Sequence, residues 1–240
     1  MSCSLSIVFP AYQEEEFLAA AVRDVVDGLE GEFPDFEVIV VENGSRDRTR
    51  AIADDLASAI PEVRSLSIDA ADYGKALRTG LLAAEGDYVV NFDVDLYDLD
   101  FLRRAVSEIS APGGPSIIVA TKRGVGSVDT RHWSRRVVTG VFSFLLRYGF
   151  GLKVSDTHGM KAMRRADVAP LAQECLFGSD LFDTELVLRT ERAGFRTAEI
   201  PYVVRETRPA RTPILSRITR SVWGLVRLRV TLWRESGARR

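Results

Sequence analysis

Short apolar runs alternate with amphipathic stretches through the first hundred residues of the chain. Apolar, β-branched runs at 5–9, 36–41, 63–68 and 86–90 predict four buried strands. Between them, apolar side chains recur at helical spacing over 14–29, 47–59 and 75–84, which predicts three helices. Strands that alternate with helices form parallel sheets through right-handed crossovers, so the pattern predicts an α/β fold.

The alternation becomes less regular after the Ala-Pro-Gly-Gly-Pro break at 111–115. The later predicted elements are strands at 116–120, 159–163 and 195–204, an apolar helix at 137–148 and a helix at 181–193. No internal repeat or low-complexity linker divides the sequence. With 240 residues and 46% hydrophobic content the chain can bury a full core, so we expect one domain over 1–205 and a basic segment over 206–240.

Two aspartates, Asp93 and Asp95, follow the strand predicted at 86–90. Open α/β sheets bind ligands at the carboxyl ends of their strands. Two carboxylates one residue apart at such a position can turn toward one cation, and Mg²⁺ or Mn²⁺ prefers oxygen ligands of this kind. An isolated Asp-x-Asp is more often a solvated turn, but the preceding strand and the neighbouring loops favour a metal site here.

Three further polar loops flank the predicted strands and helices of the first half. They are Pro-Ala-Tyr-Gln-Glu at 10–14, Glu-Asn-Gly-Ser at 42–45 and Asp-Tyr-Gly-Lys at 72–75. We expect them at the same edge of the sheet as the two aspartates, which is the expected crevice for a nucleotide. The chain has no G-x-G-x-x-G after its first strand and no P-loop, which argues against dinucleotide binding and ATP hydrolysis.

In this order, the segments P-A-Y-Q-E, V-V-E-N-G-S-R-D-R-T, Y-G-K-A-L-R-T-G and D-V-D resemble glycosyltransferase family 2. The resemblance implies the GT-A fold, a Rossmann-like, mixed and mostly parallel sheet flanked by helices. The later segments K-V-S-D-T-H-G-M-K-A-M-R-R and E-L-x-x-R, followed by E-I-P, are similar to those of polyprenol-phosphate sugar transferases such as dolichol-phosphate mannose synthase. The similarity covers residues 5–205.

The resemblance implies a nucleotide-sugar donor and assigns roles to individual residues. The base and ribose would contact Pro10, Tyr12, Glu14, Glu42 and Ser45, Lys75 would lie near the donor, and Asp93 and Asp95 would hold the metal on the diphosphate. Taken alone, Tyr12 is better explained as a packing aromatic residue and Lys75 as a charge on a helix surface.

Three residues depart from the pattern of the family. Gln13 replaces an Asn, Asn43 replaces the second acid of an acidic pair, and Tyr97 stands where the synthases often have a metal-binding Gln. These departures leave open a different function, a module that binds sugar nucleotides without turnover. The intact pair of Asp93 and Asp95 argues against it.

The acceptor is predicted from basic residues that lie between the strand at 116–120 and the apolar helix. A phosphomonoester has a second pKa of about 6 and is already anionic at neutral pH, so it needs cations to hold it rather than a general base. Such cations are Lys122, Arg123, Arg131, Arg135 and Arg136. The planar guanidinium suits phosphate, and the family resemblance favours Arg123 and Arg135.

Asp156 is the candidate for a carboxylate near the reacting centre, either acting there or orienting an arginine or a sugar hydroxyl. We predict an inverting, metal-dependent transferase that moves a hexose from a UDP- or GDP-sugar to polyprenyl phosphate. A soluble sugar or phosphate ester is the alternative acceptor. The sequence does not distinguish mannose from glucose.

The net charge of −2 hides an uneven distribution, because residues 205–240 contain ten Arg and two Glu. On a helix over 214–233 most apolar residues form one stripe and most arginines lie opposite, with Arg229 inside the stripe. This composition is typical of a helix in a membrane interface. The alternative is a helix that packs its stripe on the sheet domain. Nucleic acid is disfavoured as a partner, because it would leave the apolar stripe without a use.

The sequence also predicts the compartment. We find no uncharged apolar run of about 18 residues and no basic leader, so we expect neither a transmembrane helix nor a signal peptide. Cys3 and Cys175 fit a reducing compartment, and only His132 and His158 are available, too few for a histidine-rich metal site. We therefore expect a cytoplasmic protein, peripheral at the inner face of the membrane.

Overall fold

Seven strands form one mixed sheet in the part of the chain that the structure describes. The computed structural model describes residues 4–121, 154, 157, 159–202, 224 and 227–231. The strands are β1 (Leu5–Ala11), β2 (Phe36–Asn43), β3 (Val63–Ile68), β4 (Tyr88–Asn91), β5 (Ile117–Thr121), β6 (Lys161–Arg164) and β7 (Thr197–Pro201). Their spatial order is β3-β2-β1-β4-β6-β5-β7. β6 is antiparallel to both neighbours, and the other adjacent pairs are parallel. The predicted α/β class with a mixed, mostly parallel sheet is confirmed.

Among the described residues, six helices lie between these strands. They are α1 (Leu18–Leu29), α2 (Thr49–Ala59), α3 (Tyr73–Ala83), α4 (Leu99–Ser110), α5 (Arg165–Glu174) and α6 (Phe182–Arg192), and a short 3₁₀ turn at Ser179–Leu181 precedes α6. Both α3 and α4 begin after an aspartate cap. Asp72 accepts a hydrogen bond from the Lys75 N–H at 2.9 Å, and Asp98 accepts one from the Phe101 N–H at 3.0 Å.

The two-residue period of the strands separates two hydrophobic cores, one on each face of the sheet. Ile7 and Phe9 belong to the core that also contains apolar residues of α1, α2 and α4. Val8, between them, belongs to the core shared with α3, α5 and α6. The sheet is therefore the middle layer of three, with its strand ends free to carry functional loops.

Most predicted elements are present, with differences at their ends. The first helix begins at Leu18 rather than at Glu14, and a turn precedes it in which the Glu14 carbonyl accepts the Phe17 and Leu18 N–H groups. Its expected acidic first turn therefore lies outside the helix. The apolar helix predicted at 137–148 lies outside the described residues.

Two helices, α4 and α5, were not predicted. The signal for α4 is present in the sequence, since Asp98 caps it and Phe101, Leu102 and Ala105 bury one face. The signal for α5 is weaker, because Pro170 lies inside the helix and only two of its residues are buried.

Part of the C-terminal segment packs on the domain. Residues 224 and 227–231 are helical, and Leu228 is fully buried in the core that contains α3 and α6. A Cβ atom at Gly224 would overlap the side chain of Leu181, so the helix backbone approaches the domain closely here. This turn supports the packing alternative for the segment. Among the described helices, none has the length and apolar character needed to cross a bilayer.

Candidate active site

The loops that follow β1 and β2 are joined at the carboxyl edge of the sheet. The Gln13 N–H donates to Ser45 Oγ at 3.0 Å, and the Glu14 N–H donates to Thr49 Oγ1 at 2.8 Å. Gln13 has a positive φ of 54°, which is unusual for a residue other than glycine. The expected convergence of these two loops is therefore observed.

The residues predicted to bind the base and ribose lie together at this edge. Pro10 is buried at the end of β1, Tyr12 is 38% exposed just beyond it, and Glu14 is half-buried. Glu42 is almost fully buried at the end of β2, where it accepts a hydrogen bond from the Ser45 N–H. Part of the hydrogen-bonding capacity of Glu42 is thus used to hold its own turn, which contains Gly44 with a φ of 66°.

The metal-binding candidates lie in a tight turn just after β4. The Asp93 and Leu96 backbones exchange hydrogen bonds of 3.1 and 2.9 Å. Asp93 is half-buried, and its Oδ1 accepts a hydrogen bond from the Tyr73 hydroxyl at 3.0 Å. Asp95 is exposed. The turn thus presents one anchored and one accessible carboxylate.

Burial raises the pKa of Asp93 to about 6, and the nearby charges of Asp183 and Asp95 add to this, whereas Lys161 and the Tyr73 hydrogen bond oppose it. A cation would favour the charged form of such a carboxylate. Two hard oxygen donors at a strand end fit Mg²⁺ or Mn²⁺. Among the described residues no group of three or more His, Cys, Asp and Glu side chains is arranged to hold a metal, so water and diphosphate oxygens would have to complete its shell.

The three residues that depart from the family pattern all make structural contacts. Asn43 Oδ1 accepts the Asp72 N–H at 2.6 Å, which joins the end of β2 to the start of α3. Tyr97 donates its hydroxyl to Asp24 Oδ2 at 2.7 Å, and its ring packs against Phe9 and Phe92. The Tyr97 hydroxyl is therefore bound to α1 in this structure.

The start of α3 is fixed against the loop before α6. Asp72 Oδ1 accepts the Ser179 N–H at 2.5 Å. Gly74 is inside the helix with an ordinary φ, and a Cβ there would lie 2.7 Å from Ser179 N. Close approach of the two segments is the physical reason for a glycine at this position. The side chain of Lys75 is exposed at this end of the helix.

Glu185 holds the same loop from inside the domain. It is fully buried and accepts hydrogen bonds from the Leu176 and Phe177 N–H groups, each at 2.9 Å. Arg189 balances its charge at 2.9 Å. The loop next to the α3 terminus is therefore rigidly supported.

Three residues at the site were missed by sequence analysis: Tyr73, Lys161 and Asp183. Lys161 is fully buried, and its Nζ lies 3.0 Å from Asp183 Oδ1 and donates to the Gly159 carbonyl at 2.6 Å. The available signal was a lysine inside the apolar run Gly-Met-Lys-Ala-Met. No local signal connects Lys161 to Asp183, because they lie on different elements. The predicted residues Asp156, Arg123 and Arg135 lie outside the described residues.

Comparison with known proteins identifies the family. The sequence model of the family "Glycosyl transferase family 2" matches residues 6–170 of this chain. The chain belongs to glycosyl transferase family 2. It is 34% identical over 202 residues to the glycosyltransferase AglD of Haloferax volcanii. The alignment covers 82% of this chain but only 32% of AglD. It thus spans about a third of that relative. An uncharacterized glycosyltransferase of Mycobacterium tuberculosis is 29% identical over 199 residues, with 82% of this chain and 83% of that protein covered.

Solved structures of a mycobacterial synthase show a similar fold. The glucosyl-3-phosphoglycerate synthase of Mycobacterium tuberculosis, in complex with Mn²⁺, UDP and phosphoglyceric acid, matches with a TM-score of 0.72 and 25% identity over 95% of this chain and 78% of that one. The same synthase with Mn²⁺ and UDP-glucose matches with a TM-score of 0.63. The chain is therefore a glycosyl transferase family 2 domain with a GT-A-like fold, as predicted.

Proposed function

We propose that this chain transfers a hexose, with inversion, from a UDP- or GDP-sugar to polyprenyl phosphate at the cytosolic face of a membrane, using Mg²⁺ or Mn²⁺. The observation that carries the proposal is the position of Asp93 and Asp95. They follow β4 at the edge where the loops after β1 and β2 meet the start of α3. That edge is where a nucleotide diphosphate and its cation bind in open α/β sheets.

In this proposal Asp93 and Asp95 would hold the cation, and its positive charge would stabilise the departing diphosphate. Lys75 adds a second positive charge from the exposed start of α3. Pro10, Tyr12, Glu14, Glu42 and Ser45 surround the base and ribose. The mycobacterial synthase has been crystallised with Mn²⁺ or Mg²⁺ together with UDP, which supports a divalent cation and a nucleotide diphosphate as ligands in this proposal.

The acceptor proposal rests on the sequence. Arg123 and Arg135 would hold the acceptor phosphate, and Asp156 would lie near the reacting centre. A phosphomonoester acceptor is already anionic at neutral pH, so these residues have to bind and orient it rather than deprotonate it.

A soluble phosphate ester is a second candidate acceptor. The mycobacterial synthase has been crystallised with phosphoglyceric acid, which also carries a phosphomonoester. Both candidate acceptors carry a phosphomonoester. They differ in that polyprenyl phosphate is dissolved in a membrane and the phosphate ester in water.

The test is a transfer assay with purified full-length protein, UDP-glucose or GDP-mannose as donor, and Mn²⁺ present or chelated. Acceptors are polyprenyl phosphate in detergent, the corresponding polyprenol, and 3-phosphoglycerate. We expect metal-dependent transfer to polyprenyl phosphate alone. For Asp95→Ala we expect kcat to fall about a hundredfold or more, because the variant lacks a carboxylate that holds the cation and so loses charge stabilisation of the leaving group.

Asp100→Ala is the matched control, because Asp100 is an exposed acid nearby whose ion pair with Arg103 contributes little at the surface. Transfer to 3-phosphoglycerate alone would replace the lipid acceptor with the soluble one. Undiminished turnover by Asp95→Ala would refute the assignment of the metal site.

A further inference from the structure

We propose that the Tyr73 hydroxyl, supported by the buried ion pair of Lys161 and Asp183, is a positioning group that orients Asp93 for the divalent cation. This inference rests on the proposed function, because it assumes that Asp93 binds the cation. The hydroxyl donates to Asp93 Oδ1 at 3.0 Å across 20 residues of sequence. A donor to a metal-binding carboxylate holds its orientation before the metal arrives.

Tyr73 is itself held in place on both sides along the chain. Asp72, the residue before it, accepts hydrogen bonds from the N–H groups of both Lys75 and Ser179. Gly74, the residue after it, packs so closely on the start of α6 that a Cβ would lie 2.6 Å from Phe182 Cβ. The first turn of α3 therefore has little freedom to move, and the hydroxyl has a defined position relative to Asp93.

The ion pair of Lys161 and Asp183 lies beside the end of β4, close to Asp93. Lys161 is the first residue of β6 and pairs in register with Asn91 at the end of β4. Asp183 lies in the first turn of α6 and is 4% exposed. Lys161 offsets the negative charge that Asp183 would otherwise exert on Asp93, and its own charge favours the ionised form of Asp93.

The consequence is measurable as metal affinity. Removing an outer-shell partner of a metal ligand weakens metal binding by about 10- to 100-fold. Tyr73→Phe deletes only the hydroxyl and keeps the ring. Tyr97→Phe is the matched control, because it deletes a hydroxyl two residues after Asp95 whose partner is Asp24 on α1.

The experiment is a calorimetric titration of Mn²⁺ into full-length protein saturated with UDP, and in a parallel arm with GDP, at pH 8, well above the pKa of about 6 for Asp93. For Tyr73→Phe we expect the Kd for Mn²⁺ to rise about tenfold or more. The affinity for the nucleotide without metal should stay unchanged. In the transfer assay, the KM for Mn²⁺ should rise while kcat at saturating Mn²⁺ changes less.

Urea unfolding without metal separates positioning from a purely structural role. If Tyr73→Phe unfolds more easily but binds Mn²⁺ like the wild type, or if Tyr97→Phe weakens Mn²⁺ binding equally, the inference is wrong while the proposed function stands. If the wild type binds no Mn²⁺ with either nucleotide, the inference and the proposed metal site are both wrong.

Discussion

Glu37 illustrates how one side chain joins distant segments at the amino end of the sheet, opposite the candidate active site. Its Oε1 accepts hydrogen bonds from the Ser6 hydroxyl and the Glu85 N–H, both at 2.7 Å, and its Oε2 contacts Arg64 at 2.6 Å. Burial alone would raise the pKa of Glu37, but the hydrogen bonds from Glu85, Ser6 and Arg64 and the Arg64 charge together lower it.

We expect Glu37→Gln to lower the free energy of unfolding by about 1–2 kcal/mol at pH 7, because it removes charge-assisted hydrogen bonds at a partly exposed site. The folded-state pKa is lowered, so the stabilisation is present above the unfolded-state pKa of about 4.3 and is lost as the pH falls through the folded-state value. The difference between variant and wild type should therefore shrink below about pH 4. Urea unfolding across pH measures it, with the exposed Glu108→Gln as control. A difference that is independent of pH would contradict the account.

At the scale of elements, β6 has the greatest influence on the site. Its antiparallel direction brings Lys161, its first residue, to the edge where the parallel strands end. A lysine with no exposed surface is costly to bury, and its carboxylate partner is Asp183 on α6. The strand thus links the sheet to α6 through a buried charge pair.

We expect Lys161→Met to lower the free energy of unfolding by about 3–5 kcal/mol, because Asp183 is left as an uncompensated buried charge. The double variant Lys161→Met/Asp183→Leu should regain much of that loss, because an apolar pair of similar volume has no charge to desolvate. Urea unfolding of the two variants and the wild type measures both effects. A double variant less stable than the single one would show that the pair contributes net stability.

At the scale of the whole molecule, the C-terminal segment lies against the sheet domain in its described turn. Leu228 is buried in the core of the α3 and α6 face, whereas Arg227 and Arg229 are exposed. Removing the segment would open this core, so charge reversal tests membrane binding better than deletion. The packed face and a lipid-facing side can coexist on one helix.

We expect the full-length protein to float with anionic liposomes at low salt, and salt to weaken the flotation. Reversing Arg227 and Arg229 to Glu should reduce liposome affinity about tenfold or more, since each basic residue near an anionic surface contributes about 1 kcal/mol. Reversing Arg23 and Arg50 is the matched control, because these exposed residues lie on α1 and α2 at the other face of the sheet. Wild-type protein that stays in the soluble fraction would remove the support for a lipid acceptor.

The sequence by itself determined the elements and the position of the central motif. The alternation of apolar runs and helical spacing gave β1 to β4 and α1 to α3 within a few residues, because these patterns reflect burial of contiguous positions. It also placed Asp93 and Asp95 just after a buried strand. The sequence also contains the local signals for α4, which are Asp98 and the apolar spacing after it, although α4 was not predicted.

Only the tertiary structure decided which distant groups meet at the motif. The contacts of Tyr73 with Asp93, of Lys161 with Asp183 and of Asp72 with Ser179 join different elements, the last across 107 residues. The contact of Lys161 with Asp183 depends on the insertion of β6 between β4 and β5, and on the antiparallel direction of β6. Strand order and register are set by the packing of whole elements, because any one strand can satisfy its own apolar pattern beside several neighbours. For that reason the sequence located the two carboxylates, and the fold supplied the groups that hold them.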